Sequence, residues 1–175
     1  MNSLLKNIGL YDQSYIEVNT ARTELVQNLW KITYKTNTTF ISLIRDPAIP
    51  TRFEYRGKIE ENSFTIKTRR RFFDINMNYP VIKGSLHDQN NITIVSIEYI
   101  PTLFQIFTFI LLLCFFLFAV AVNIKNSGED FVFIGISSIM AVSHYFVLKK
   151  EITRGKYDFE KVIGNITQKH FSLTH

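Results

Sequence analysis

Two long apolar runs interrupt an otherwise polar chain. Residues 102–122, TLFQIFTFILLLCFFLFAVAV, contain no charge, glycine or proline, and residues 131–148, FVFIGISSIMAVSHYFVL, contain no Asp, Glu, Lys or Arg and one histidine, His144. As helices they would reach about 32 and about 27 Å, against a hydrocarbon core of about 30 Å. A soluble helix keeps a polar face, but in the first run only Thr102, Gln105 and Thr108 are polar, all near one end. The pattern predicts two membrane-spanning helices joined as a hairpin over 102–148. The connection, NIKNSGED, has turn chemistry in Asn126, Ser127 and Gly128. Gly135, Ser137 and Ala141 are small enough to form the helix–helix seam. His144 lies one turn from Lys149 and beside Tyr145, which places it at an aromatic membrane interface.

Upstream, residues 1–100 form an α+β region. Tyr15 to Val18 predicts a short strand, followed by a helix with Thr20 as N-cap and Glu24 in its first turn. Leu25, Leu29 and Ile32, flanked by Val26 and Trp30, give that helix an apolar stripe, with Trp30 in the core. Beyond Pro47 and Pro50 the period changes to two. FEYRGKIE, FTIKTRRRFF, PVIKGSLHD and ITIVSIEYI read as four antiparallel strands, wet on one face and buried on the other. Gly57 and Gly84 fall on the buried face, where a missing side chain admits a large neighbour or lets the sheet bend. In the tail, 149–175, KYDFEKVIGNITQKHF predicts a final amphipathic helix through Phe159, Val162, Ile163 and Ile166. The fold class expected is α+β: a small antiparallel sheet with flanking helices, plus a two-helix transmembrane hairpin. The element order resembles the helix-grip folds, with the hairpin inserted before the closing helix.

Charge orients the hairpin. The chain carries 20 Lys and Arg against 15 Asp and Glu, a net charge of +5. Thirteen of the basic residues precede the first run and six follow Leu148, whereas the connecting loop holds only Lys125 against Glu129 and Asp130. Basic flanks stay inside, so both termini are expected in the cytoplasm of a cell inner membrane, as a multi-pass protein. That distribution accounts for the basic pI better than a nucleic-acid partner does. The single cysteine, Cys114, excludes an intramolecular disulfide, and MNSLLKNIGLYDQ has no apolar core of signal-peptide length.

Chemistry-bearing patterns are sparse. There is no Gly-rich phosphate loop, HExxH, CxxC or serine elbow, so neither a metal nor another cofactor is expected, nor an enzyme. His87 with Asp88, and Glu60 with Glu61, read as solvated turn residues. Asn37, Asn91 and Asn165 head sequons that would face the cytoplasm. One cluster has a mechanism: Lys67, Arg69, Arg70 and Arg71, closed by Phe72 and Phe73, are candidate contacts for anionic lipid. The competing reading is a solvated edge-strand face whose charges block aggregation.

The hairpin FEYRGKIEENSFTIKTRRRFF, then PVIKGSLHDQNNITIVSIEYI, then paired spans, resembles a group of small uncharacterised bacterial membrane proteins over residues 50–160. The shared features are G-x-I…N-x-F-x-I and P-x-I-x-G. They are structural, so the resemblance implies a cytoplasmic β-rich domain on a two-span hairpin and no site residues. The function expected is non-enzymatic binding or scaffolding at the membrane surface, with the lipid bilayer and an anionic lipid or a protein as partners. The alternative is a homo-oligomer of hairpins acting as a transporter accessory or pore, with Thr108, Cys114, Ser137, Ser138 and Ser143 as its polar positions.

Overall fold

Alternating side chains in the polar half of the chain fold into one sheet. The structure, a computed structural model, describes residues 2–36, 48–69, 79–89, 92–125 and 131–171. Helix α1 (Asn2–Asn7) precedes β1 (Asp12–Val18), α2 (Arg22–Ile32), β2 (Thr33–Lys35), β3 (Tyr55–Ile59), β4 (Ser63–Thr68), β5 (Val81–Gln89) and β6 (Ile92–Ile100). Two long helices follow, α3 (Leu103–Lys125) and α4 (Phe131–Phe171). The six strands lie in the order β1-β6-β5-β4-β3-β2. All neighbours are antiparallel except β2 and β3, so the sheet is mixed, where an antiparallel one was expected. Helix α2 runs directly into β2, and β3 lies beside β2 in the same direction.

Burial follows the period of two. Tyr55, Ile59, Phe64, Ile66, Ile82, Leu86, Val95, Ile97 and Tyr99 are buried on one face. Their neighbours Arg56, Lys58, Lys83, Ser85 and Glu98 point to the other face. In the β4–β5 ladder Phe64 pairs with Gly84, and a methyl group at Gly84 would overlap the Phe64 ring. The glycine thus lets an aromatic lie flat across the sheet.

Two helices cover the buried face. Helix α2 inserts Leu25 and Leu29, both fully buried. It begins after Ala21 rather than Thr20, and Ala21 makes no side-chain cap. Trp30 is 42% exposed, with the Lys35 ammonium 5.6 Å from its ring, which removes it from the core where it was expected. The second cover is α4, whose Leu148, Ile152, Phe159 and Ile163 are all buried in the same core cluster as the sheet. Phe159 meets Tyr55 and Phe64 edge-on or tilted, at 5.6 Å between ring centroids in each case. Lys156 holds Asp12 of β1 at 3.1 Å.

Helix α4 is therefore one element of 41 residues, not a span followed by a separate tail helix. At 1.5 Å per residue it is about 62 Å long. Its residues before Leu148 are apolar on nearly every side, with Phe131, Val132, Ile136, Ile139, Met140, Val142, Phe146 and Val147 exposed. After Leu148 the apolar positions narrow to a stripe that packs on the sheet. Gly155 sits inside this stripe, and a methyl group there would come within 2.5 Å of Pro80. It marks a close approach, not a helix end.

Helix α3 packs against the first half of α4. Phe109 meets His144 and Tyr145, and Phe115 meets Phe133, so the contacts run antiparallel as in a hairpin. The start of α3 carries a capping box: Gln105 Oε1 accepts from the Thr102 N–H at 2.6 Å, and Thr102 Oγ1 accepts from the Gln105 N–H at 3.4 Å. Both α3 and the first half of α4 are long and apolar enough to cross a membrane.

Candidate functional site

The residues singled out from sequence divide into three places. Ser137 and Ala141 are buried where α4 meets α3, with Ala119 and Asn123 buried on the α3 side. Gly135 is exposed, and a methyl group there meets nothing within 4 Å, so it lies off the seam. The Ser137 hydroxyl lies 2.9 Å from the Phe133 carbonyl and 3.0 Å from that of Ile134. Thr108 and Ser143 likewise donate to carbonyls of their own helices. These hydroxyls satisfy local backbone carbonyls.

The basic run is divided. Lys67 faces the side of the sheet opposite the core, paired in register with Arg56 of β3. Arg69 is held by the loop before β3: its Nη1 donates to the Ile49 carbonyl at 2.9 Å and its N–H to the Glu54 carbonyl at 2.9 Å. Arg70 and Arg71, with Phe72 and Phe73, lie outside the described residues. Asp88, expected in a turn, belongs to β5 and pairs with Arg22 of α2 at 3.3 Å. Glu60 pairs with Lys58 at 2.5 Å, and that hydrogen bond, with one from Ser63, holds its carboxyl below the usual range.

A concavity lies where no site was expected. A half-enclosed cleft of about 690 Å³ separates α1 and the turn after it from α3 and α4. Leu4, Leu5, Ile8 and Leu10 form one wall, Ile106, Phe109, Ile110 and Leu113 the opposite wall, and Tyr145 and Lys149 the end. Leu5 and Leu10 anchor the first wall in the core, at 3% and 1% exposure, while Leu4 stays 63% exposed. Tyr145 fixes the turn by donating its hydroxyl to the Ile8 carbonyl at 2.9 Å. Gly9 adopts φ +71 there, a left-handed conformation that suits glycine, directly beside that hydroxyl. With Tyr145 occupied, the polar side chains remaining along the lining are Asn7 and Lys149, and Lys149 is its one charged group.

Sequence reasoning missed this wall because α1 has only six residues, too short to show a period. The available signal was the spacing of Leu4, Leu5 and Ile8, which share one helical face.

Two buried polar groups flank the junction between hairpin and sheet. His144, expected at an aromatic membrane interface, is half-buried beside Phe109, and its Nε2 is buried without a hydrogen bond. Glu151 is 6% exposed, and its Oε2 accepts no hydrogen bond. Among the described residues no group of three or more His, Cys, Asp or Glu side chains could hold a metal ion. No protein-family model matches the chain, and neither a curated protein nor a solved structure is found to match it.

Proposed function

We propose that this chain is a two-span membrane protein that presents its α+β domain at the cytoplasmic face of a bacterial inner membrane. Its role there is binding or scaffolding, without catalysis. The observation that carries the reading is the continuity of α4. One helix has an exposed apolar half that needs lipid and a second half whose stripe closes the core of the sheet. Such a helix ties the domain to the bilayer without a flexible linker, so the domain stands at a set height above the membrane. The distribution of basic residues, 13 before and six after the hairpin against one in its loop, supports placing the domain inside.

Reporter fusions test the topology. A reporter active only outside the membrane should work after Ser127 and fail after His175, and the protein should resist extraction by alkaline carbonate. Activity after His175 with silence after Ser127 refutes the orientation. Release by carbonate refutes the spans altogether.

A further inference from the structure

We infer that the cleft between α1 and the hairpin is a site for an anionic glycerophospholipid, with one acyl chain against α3 and the headgroup phosphate at Lys149. The inference rests on the two-span reading above, since it needs the hairpin to lie in a bilayer. In that setting Ile106 to Leu113, eight residues and about 10 Å of α3, face the domain-proximal leaflet. The walls are apolar, so water is a poor occupant. A peptide is a poor one as well, because its backbone would enter hydrocarbon without hydrogen-bond partners. An acyl chain has no such cost. The volume, about 690 Å³, lies within the range of small-molecule sites, roughly 300–1,000 Å³.

The polar end favours an anion. Lys149 lines the cleft where α4 leaves the apolar half, and Lys150 and Lys6 are exposed nearby in sequence on the same two helices. No carboxylate lines the cleft. A lysine at this level extends its ammonium toward the headgroups, and Asn7 adds an amide donor at the α1 wall. Because the cleft is half-enclosed, a second acyl chain can remain in the bilayer. That geometry selects a two-chain lipid over a free fatty acid.

The full-length protein in nanodiscs of phosphatidylcholine, doped with phosphatidylglycerol carrying a photoreactive acyl chain, tests this. After irradiation, adducts should map to residues 4–8 and 106–113, and unlabelled phosphatidylglycerol should compete them away. Phosphatidylcholine and a fatty acid should not compete. Lys149→Gln should weaken competition roughly fivefold and Lys149→Glu roughly 25-fold, with Lys149→Arg near wild type, since each basic residue near the surface contributes about 1 kcal/mol. Ile110→Trp, which fills the cleft with an apolar group, should remove the adducts while thermal unfolding stays close to wild type. Adducts spread over both outer helix faces, equal competition by phosphatidylcholine or fatty acid, or adducts unchanged in both the Lys149→Glu and Ile110→Trp proteins would each overturn the inference. These failures are separable from failure of the two-span reading, which the reporter after Ser127 detects on its own.

Discussion

Lys150→Pro tests whether α4 is one helix. Lys150 is exposed and lies two residues beyond Leu148, where the apolar half ends. A proline there deletes the N–H that bonds the Phe146 carbonyl, and its ring crowds that carbonyl. In an uninterrupted helix the cost is about 3 kcal/mol or more. In a linker after a helix end, proline is common and nearly neutral. For a chain of this size, 1 kcal/mol moves the midpoint by about 2–4 °C, so the continuous helix predicts a drop of about 6–12 °C. Trp30, the only tryptophan, sits on α2 away from the change, and its fluorescence in detergent-solubilised full-length protein follows the sheet domain. Lys150→Ala supplies the baseline and should stay within about 0.5 kcal/mol of wild type. A proline variant that melts within about 2 °C of the alanine variant would refute the single helix.

Phe159→Ala should destabilise the protein by about 3–5 kcal/mol in the same melt, because the ring is fully buried between Tyr55 and Phe64. A loss below about 1 kcal/mol would mean that the C-terminal half of α4 does not close the core. Gly84→Ala should cost about 1–3 kcal/mol by displacing the Phe64 ring, and adding Phe64→Leu should recover part of that loss. Alkaline stability should report Tyr11, whose phenol is pushed up to about 12 by burial, then by its hydrogen bond to Glu98. Since the folded value exceeds the free value of about 10, this contribution is complete below pH 10 and lost as pH rises toward 12. Burial shifts Tyr55 and Tyr99 upward as well. Denaturant titrations should therefore weaken across that window, and Tyr11→Phe should flatten the dependence.

How much of the fold was legible depended on how local its signal was. The expected strand ITIVSIEYI coincides with β6, and PVIKGSLHD differs from β5 by one residue at each end. Both alternate cleanly, and the nine-pair ladder between them preserves that alternation. Helix α3 was equally plain, because a run of that length without charge has few alternatives. Strand β2 was not legible: with three residues it has no period, and only its pairing with β3 makes it a strand. The close approach of Gly155 to Pro80 was not legible either, because the two lie 75 residues apart in the chain. Trp30 was misplaced because a stripe defined by spacing cannot show where the sheet stops covering the helix.

For the candidate site the division is sharper. The amino-acid order alone determined the apolar runs, the charge asymmetry across them and the alternating strands, since each depends on neighbours within a few residues. It also placed Ser137 and Ala141 at spacings that suit a seam. Only the tertiary structure brought Leu4 and Ile8 across from Ile106 and Phe109, with Tyr145 and Lys149 closing the end. Those groups are separated by about a hundred and about forty residues along the chain, and no local pattern encodes their meeting. The meeting depends on α4 passing without a break from the hairpin onto the sheet. That continuity was decided by the packing of Leu148, Ile152, Phe159 and Ile163 into a core supplied by distant strands.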